Sequence, residues 1–294
     1  MGYLEMTEKQ DAFLQKHFLS LGPHGFHKIA YTQWGRAHNE TTAVCVHGLT
    51  RNGRDFDALA AVLAEDYRVA CPDVAGRGQS DWLIHPEDYA YPTYINDMAA
   101  MIARLGVSEV DWIGTSMGGL IGMMLAAQPN SPIRRLVLND VGPFIPKASL
   151  ERIGEYVGGK PHFEDVEGVE EYLREVHAPF GPLSDAQWRH LAKHSARRGE
   201  KSGFVLHYDP AIGDAFKGVE LDDVDLWPVW NQISCPVLIV RGKESDLLTE
   251  ETAERMLTDG PEAELVEIEN TGHAPALMDE KQIEFVRDWL ASSG

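Results

Sequence analysis

The sequence of 294 residues contains few cysteines, few basic residues and no long apolar run. Its three cysteines are an odd number and lie in or beside apolar runs, which predicts buried free thiols rather than a disulfide framework or a metal site. The 26 Lys and Arg residues stand against 46 Asp and Glu residues. A net charge of −20 repels phosphate backbones, so we expect no nucleic-acid partner.

The composition also bears on membranes and on the compartment. No apolar stretch approaches the roughly 18 residues of a membrane span, so no membrane partner is expected. The first thirteen residues (MGYLEMTEKQDAF) are polar and mixed in charge, and they lack the basic start and apolar core of a signal peptide. Together with reduced core cysteines, this predicts a cytoplasmic protein.

Short apolar runs alternate with helical patterns along most of the chain. Strands are predicted at 26–34, 42–48, 67–73, 110–116, 134–142, 236–242 and 264–270, and helices are predicted to follow near Phe56, Ile95, Met117 and Asp279. This alternation predicts a mostly parallel sheet with helices on both faces.

The alternation stops between residues 143 and 226, where the chain is acidic and helical with Pro and Gly breaks. An unstructured stretch of this length would be unusual inside a compact domain. We therefore interpret 143–226 as an inserted helical cap and assign 1–142 and 227–294 to the α/β core.

The strongest chemical signal is the segment Gly114-Thr115-Ser116-Met117-Gly118, which has the pattern G-x-S-x-G between a predicted strand and a predicted helix. In this context the pattern predicts a sharp turn that exposes the serine hydroxyl above the edge of the sheet. Glycines are needed because side chains would collide in so tight a turn. The helix beginning at Met117 brings a positive dipole end near developing negative charge. Ser116 is the predicted nucleophile.

A serine hydroxyl needs a base to take its proton, and an acid to orient that base. Of the 12 histidines, His273 follows the last predicted strand, in the loop Asn270–Pro275, and is the predicted base. Asp246 and Asp140 each follow a predicted strand at the same edge of the sheet as Ser116, so either could be the acid. Glu244 is a weaker third candidate.

Acyl transfer also needs two donors for the developing oxyanion. One is expected to be the N–H of Met117, the residue after the nucleophile. The other is expected from the loop after the strand 42–48, which reads His47-Gly48-Leu49-Thr50. Within this loop we predict the N–H of Leu49 as the second donor.

Four motifs in this order resemble those of the α/β-hydrolase family: His47-Gly48, the segment Asp73–Ser80 (DVAGRGQS), Gly114–Gly118, and Gly272-His273-Ala274-Pro275. The resemblance extends from about residue 26 to the carboxyl terminus and implies the α/β-hydrolase fold. The chain departs from the family at Ala75, where similar proteins often carry arginine, and this puts the usual salt bridge of that loop in doubt. The chain order common in the family, with the acid beyond the cap, favours Asp246 over Asp140.

The resemblance implies cleavage of small to medium carboxylic esters, including hydroxy-acid esters or lactones, through an acyl-enzyme on Ser116. It implies a small-molecule ester substrate and neither a metal nor an organic cofactor. Two alternatives stay open: a carbon–carbon bond hydrolase of a ring-cleavage pathway, and a non-catalytic binding protein on the same fold. His190 and His194, four residues apart, suggest a metal pair, but the sequence shows no third ligand, so we predict no metal site.

Overall fold

An eight-stranded sheet forms the centre of the computed structural model, which describes residues 13–218 and 220–292. Numbered in chain order, the strands are β1 (Phe13–Gly22), β2 (Gly25–Trp34), β3 (Thr41–Val46), β4 (Tyr67–Pro72), β5 (Val110–Thr115), β6 (Ile133–Asn139), β7 (Phe144–Ile145), β8 (Ala196–Arg198), β9 (Phe204–Leu206), β10 (Val224–Asp225), β11 (Val237–Gly242) and β12 (Ala263–Ile268). The order in the sheet is β1-β2-β4-β3-β5-β6-β11-β12. Strands β1 and β2 are antiparallel to their neighbours, and the other pairs are parallel.

All seven predicted strands are present, and five of them (β3, β4, β5, β6 and β12) end one to three residues earlier than predicted. The residues beyond β3, β5 and β6 form loops at the carboxyl edge of the sheet, where the chain leaves each strand. Strand β1 was not predicted. It buries Phe18 but exposes Leu14, Leu19 and Leu21, so its apolar residues do not mark one buried face.

Helices cover both faces of the sheet, as predicted. In chain order they are α1 (Asp57–Leu63), α2 (Tyr91–Leu105), α3 (Met117–Ala126), α4 (Lys147–Tyr156), α5 (Val166–Val176), α6 (Asp185–Ser195), α7 (Trp227–Trp230), α8 (Glu250–Met256) and α9 (Glu280–Ala291). Helices α1 and α9 contribute to the apolar cluster on one face, and α2 and α3 to the larger cluster on the other. Alternate residues of β3 enter opposite clusters: Val44 and Val46 the larger one, Ala43 and Cys45 the smaller.

The segment between β6 and β11 carries helices α4 to α7 and four short strands. The capping box of Ser184 and Gln187 begins α6, and Asp165 caps α5. Strand β7 pairs with β10 and holds the entry and exit of the segment together, while β8 pairs with β9. These strands were not predicted, because two or three residues are too few to show a period. The division of the chain into a core and a cap stays an interpretation.

The three cysteines are free thiols. Cys45 and Cys71 are buried in β3 and β4, and Cys235 is half-buried just before β11. Within the described ranges, no helix is both long enough and apolar enough to cross a membrane. Residues 1–12, which carried most of the argument against a signal peptide, lie outside the described residues.

Candidate active site

Ser116 occupies a strained turn between β5 and α3. Its backbone has φ 52° and ψ −115°, a region that costs a residue with a side chain about 1–3 kcal/mol. The distances show how tight this turn is. A Cβ atom at Gly118 would lie 2.0 Å from the carbonyl oxygen of Val46. A Cβ at Gly114 would lie 2.4 Å from the carbonyl carbon of Gly118. The two glycines of the motif therefore permit the contact between strand and helix that places the serine at the edge of the sheet.

His273 comes to Ser116 from the loop between β12 and α9. Its Nε2 lies 3.0 Å from the Oγ of Ser116, although 157 residues separate the two in sequence. The imidazole is mostly buried, with 11% of the side chain exposed. The structure thus brings the predicted nucleophile and the predicted base into hydrogen-bond contact.

The preference for Asp246 as the acid is wrong, because Asp140 occupies that position. The Oδ2 of Asp140 lies 2.7 Å from the Nδ1 of His273, and the aspartate is fully buried just after β6. Asp246 instead pairs with Arg152 of α4, at 2.6 and 2.9 Å, and half of its side chain is exposed. The turn after β11 directs Ser245 inward, and its hydroxyl donates to Asp140 at 2.6 Å. In this loop the inward position therefore belongs to Ser245, and the next residue points outward.

Asp140 has a well-defined set of donors. Besides His273, its carboxylate accepts hydrogen bonds from the N–H of Gly242 at 2.8 Å and from Ser245. Its backbone is left-handed, with φ 56°, which turns the chain immediately after the strand. The sequence held this aspartate only as an alternative, since a position after a strand suited both candidates. Glu244 is exposed on the same loop as Asp246.

The loop after β3 lies beside Ser116, as predicted for an oxyanion hole. A Cβ atom at Gly48 would lie 3.7 Å from the Cβ of Ser116. The N–H of Arg51 donates to the carbonyl of Gly48, so Leu49 lies inside a turn. Neither the N–H of Leu49 nor that of Met117 has a hydrogen-bond partner among the described residues. Both predicted donors are therefore free to bind an oxyanion beside Ser116.

Arg77 connects the two predicted oxyanion donors, and sequence reasoning missed it. The side chain is fully buried, and its Nε donates to the carbonyl oxygen of Leu49 at 2.9 Å. Its Nη1 donates to Ala75 and to the hydroxyl of Tyr94, and its Nη2 lies 3.6 Å from the sulfur of Met117. In the part of the chain that the structure describes, Arg77 makes no ion pair. The Gly76-Arg77-Gly78 segment was the only signal for it.

His47 holds the same loop from the other side. Its Nε2 accepts from the N–H of Val74 at 2.9 Å, so Nδ1 carries the proton and donates to the carbonyl of Gly48 at 2.8 Å. Burial lowers the pKa of His47 to about 3, and the ring stays neutral at physiological pH. The neutral imidazole of His47 thus has a structural role, since its hydrogen bonds connect the loop after β3 to the loop after β4.

The inserted segment covers the site. Phe180 and Leu191 line a small cavity that is bounded on the core side by Gly48, Thr115, Ala274 and Pro275. The ring of His177 stacks on Phe180 with centroids 4.6 Å apart. Burial, with the nearby charge of Arg51, holds the pKa of His177 well below its usual range. The inserted segment therefore presents two apolar side chains to this cavity, and the imidazole stacked on Phe180 is neutral.

The histidine pair of α6 has a third potential metal ligand that the sequence did not show. Asp57 of α1 brings a carboxylate oxygen within 4.8 Å of the ring nitrogens of His190 and His194. Arg54, however, already donates to both carboxylate oxygens of Asp57, and His190 Nε2 lies 2.9 Å from the Arg54 carbonyl. The Arg54 guanidinium, which is hydrogen-bonded to Asp57, repels any metal cation that would bind the same carboxylate. Among these bonds, the one between His190 and the Arg54 carbonyl connects α6 to the core.

Comparison with known proteins places this geometry in a family. The sequence profile of the α/β hydrolase fold matches residues 43–279. The 3-hydroxybutyrate-oligomer hydrolase of Cupriavidus necator is 45% identical over 271 residues, which cover 90% of this chain and 92% of that protein. The 2-(acetamidomethylene)succinate hydrolase of Mesorhizobium japonicum is 29% identical over 206 residues, 69% and 70% of the two chains. The crystal structure of a putative hydrolase from Rickettsia typhi, 34% identical, superposes with a TM-score of 0.89 over 96% of this chain and 99% of that one. The chain therefore belongs to the α/β-hydrolase family.

Proposed function

We propose that the protein hydrolyses carboxylic esters of short hydroxy acids, in particular the ester bonds that join 3-hydroxy acids in small oligomers. The observation that carries this proposal is the hydrogen-bonded chain of Ser116, His273 and Asp140 beside two free backbone N–H groups. The broader class, a hydrolase of carboxylic esters, follows from the family and from the relative in Cupriavidus necator, whose name specifies 3-hydroxybutyrate oligomers.

The first half of the reaction forms an acyl-enzyme. Ser116 Oγ attacks the acyl carbonyl while His273 Nε2, 3.0 Å away, takes its proton. The negative charge that develops on the carbonyl oxygen is bound by the N–H groups of Leu49 and Met117. The bond to the alcohol oxygen then breaks, and His273 returns the proton to that oxygen.

The second half regenerates the enzyme. His273 takes a proton from water, the resulting hydroxide attacks the acyl carbon, and the oxyanion forms again on the same donors. Collapse of this intermediate releases the carboxylic acid and returns the proton to Ser116. Asp140 accepts a hydrogen bond from Nδ1 of His273, which fixes the productive tautomer and stabilises the imidazolium.

The proposal also includes the location and the partners. A cytoplasmic location is supported by three free cysteines, and the absence of a nucleic-acid partner by the charge of −20. The ester substrate is the partner that the site requires. The cap, residues 143–226, is proposed to bound the substrate pocket, since Phe180 and Leu191 line the cavity beside Ser116.

The deciding experiment compares wild type with Ser116→Ala on the linear dimer of 3-hydroxybutyrate and on p-nitrophenyl butyrate. We expect kcat for Ser116→Ala to fall by a factor on the order of a thousand or more. Ser202→Ala, at an exposed position, is the matched control and should keep the wild-type rate.

A wild-type kcat in Ser116→Ala would contradict the proposal. A wild-type protein that leaves both esters intact but cleaves a ring-cleavage dienone would support the carbon–carbon hydrolase instead. Saturable ester binding without turnover would support the binding protein.

A further inference from the structure

A second cavity lies beneath the cap, next to the one beside Ser116. Arg51 lines both cavities. The other walls of this second cavity include the rings of Tyr156, Tyr172, His177 and Tyr208. The cavity volume is about 10 Å³, which is room for about one water molecule or one oxygen atom. A cavity of this size and position can receive one substituent of a substrate chain that leads away from Ser116.

Tyr208 lines this cavity, and no described residue accepts a hydrogen bond from its hydroxyl. The backbone of Gly158 lies near the phenol oxygen and can only stabilise it as an acceptor, so the O–H itself has no partner. The side chain is only 4% exposed. Burial raises the pKa of Tyr208 to about 12, so the phenol keeps its proton at neutral pH and can donate. A buried donor without an acceptor is costly, and native proteins retain few of them. The hydroxyl is therefore suited to an acceptor that arrives with a ligand.

Arg51 offers further donors in the same cavity without offering net charge. The guanidinium has five N–H groups. Three of them are used, two by Asp55 at 2.7 and 2.8 Å and one by Ser195 at 2.8 Å, which leaves two. Because the Asp55 carboxylate balances the buried charge, the cavity favours a neutral oxygen over a carboxylate.

We propose that this cavity is an oxygen-binding subsite in which Tyr208 and Arg51 bind a hydroxyl or ester carbonyl oxygen of the substrate, beyond the bond that is cleaved. The inference rests on the proposed function and names the substrate class of that site as oxygenated acyl chains, 3-hydroxyacyl units and their short oligomers. A plain alkyl chain of the same length has no oxygen that could accept a hydrogen bond from the buried Tyr208 hydroxyl. Sites built around such hydrogen bonds discriminate strongly against analogues that lack the oxygen.

The test compares p-nitrophenyl esters that share one leaving group. The linear dimer of 3-hydroxybutyrate is paired with octanoate, which matches its chain length but lacks its oxygens, and 3-hydroxybutyrate is paired with butyrate. Tyr208→Phe removes only the unpartnered hydroxyl. Tyr67→Phe is the matched control, because that buried hydroxyl donates to the Leu290 carbonyl, away from both cavities.

For wild type we expect kcat/KM to be higher for the oxygenated ester of each pair. Tyr208→Phe should lower that preference by about tenfold, which corresponds to one lost hydrogen bond, so its effect on octanoate and butyrate should be much smaller than on the oxygenated esters. Tyr67→Phe should keep the preference. The melting temperature of Tyr208→Phe should stay near that of wild type, since no described residue accepts a hydrogen bond from this hydroxyl.

Three outcomes would overturn the inference. They are an unchanged preference in Tyr208→Phe, an equal loss on both members of a pair, and a wild-type preference for the p-nitrophenyl half ester of glutaric acid over butyrate. The last would indicate recognition of a carboxylate by Arg51. Failure of wild type on every ester would instead contradict the proposed function, and the two failures are therefore distinguishable.

Discussion

The Nδ1 of His273 lies 2.7 Å from the Oδ2 of Asp140, a residue that precedes the segment 143–226 in the sequence. The same carboxylate is held by Gly242 and Ser245, on the strand and loop where an acid was expected. The loop after β11 therefore contributes to this site as a support for the acid and does not supply the acid itself.

Exchanging each aspartate for asparagine separates the two candidates. Asp140→Asn should lower kcat on p-nitrophenyl butyrate by a factor on the order of 10⁴, because the amide no longer holds the productive tautomer of His273. Asp246→Asn should remain within about twofold of wild type, since it breaks only a half-exposed ion pair with Arg152. A larger loss in Asp246→Asn than in Asp140→Asn would contradict this assignment.

Arg77 is a positioning residue whose removal should affect turnover more than binding. Arg77→Met keeps most of the apolar volume but loses the hydrogen bond to the Leu49 carbonyl. We expect kcat to fall by about ten- to a hundredfold with little change in KM, less than the roughly 10²–10³ for direct loss of an oxyanion donor.

The control for this variant is Arg135→Met. Arg135 is also buried, but it donates to carbonyls at the end of α9. Both variants should lower the melting temperature, whereas only Arg77→Met should lower kcat. A purely structural role for Arg77 would leave the kcat of the folded fraction unchanged.

His47 should make stability depend on pH in the acid range. The pKa of His47 is about 3 in the folded protein and about 6.5 in the unfolded chain, so the unfolded state binds the extra proton between these values. The free energy of unfolding should therefore fall as pH drops below 6.5, by up to about 1.4 kcal/mol per pH unit from this group.

The matched variant is His47→Gln, whose side-chain oxygen can still accept from Val74 but does not titrate. It should be less stable than wild type at pH 7 and should lose less stability on acidification. Urea unfolding at pH 7, 6 and 5 measures both slopes. Equal slopes in the two proteins would show that His47 titrates normally in the folded state.

Alanine should lower the melting temperature at one glycine near Ser116 and leave it unchanged at another. Gly118→Ala places a methyl group 2.0 Å from the backbone oxygen of Val46, which cannot move without shifting β3, so soluble yield and melting temperature should fall sharply. Gly48→Ala meets nothing closer than 3.7 Å and should fold with a melting temperature near that of wild type. Similar melting temperatures for both variants would contradict the close packing of the turn at Ser116 against β3.

The parts of the molecule encoded by local pattern were predictable from the sequence. Buried parallel strands appear as continuous apolar runs, and the turn at Ser116 requires glycines at fixed offsets, so the sheet, α3 and the nucleophile follow from neighbouring residues. His273 follows from its place after the last strand. Strand β1 and the short strands of the inserted segment lack such a period, and they were missed for that reason.

The choice of Asp140 over Asp246 was decided only in the tertiary structure, because two loops at one sheet edge compete for one imidazole and the direction of each side chain depends on its turn. The same holds for Arg77 beneath Leu49, for Asp57 beside the histidines of α6, and for Arg51 and Tyr208 around one cavity. Each of these arrangements brings together segments that are far apart in the chain. The sequence by itself determined the fold and the candidate nucleophile and base, since these depend on local geometry, whereas the candidate acid and the cavities around Arg51 depend on how distant segments pack.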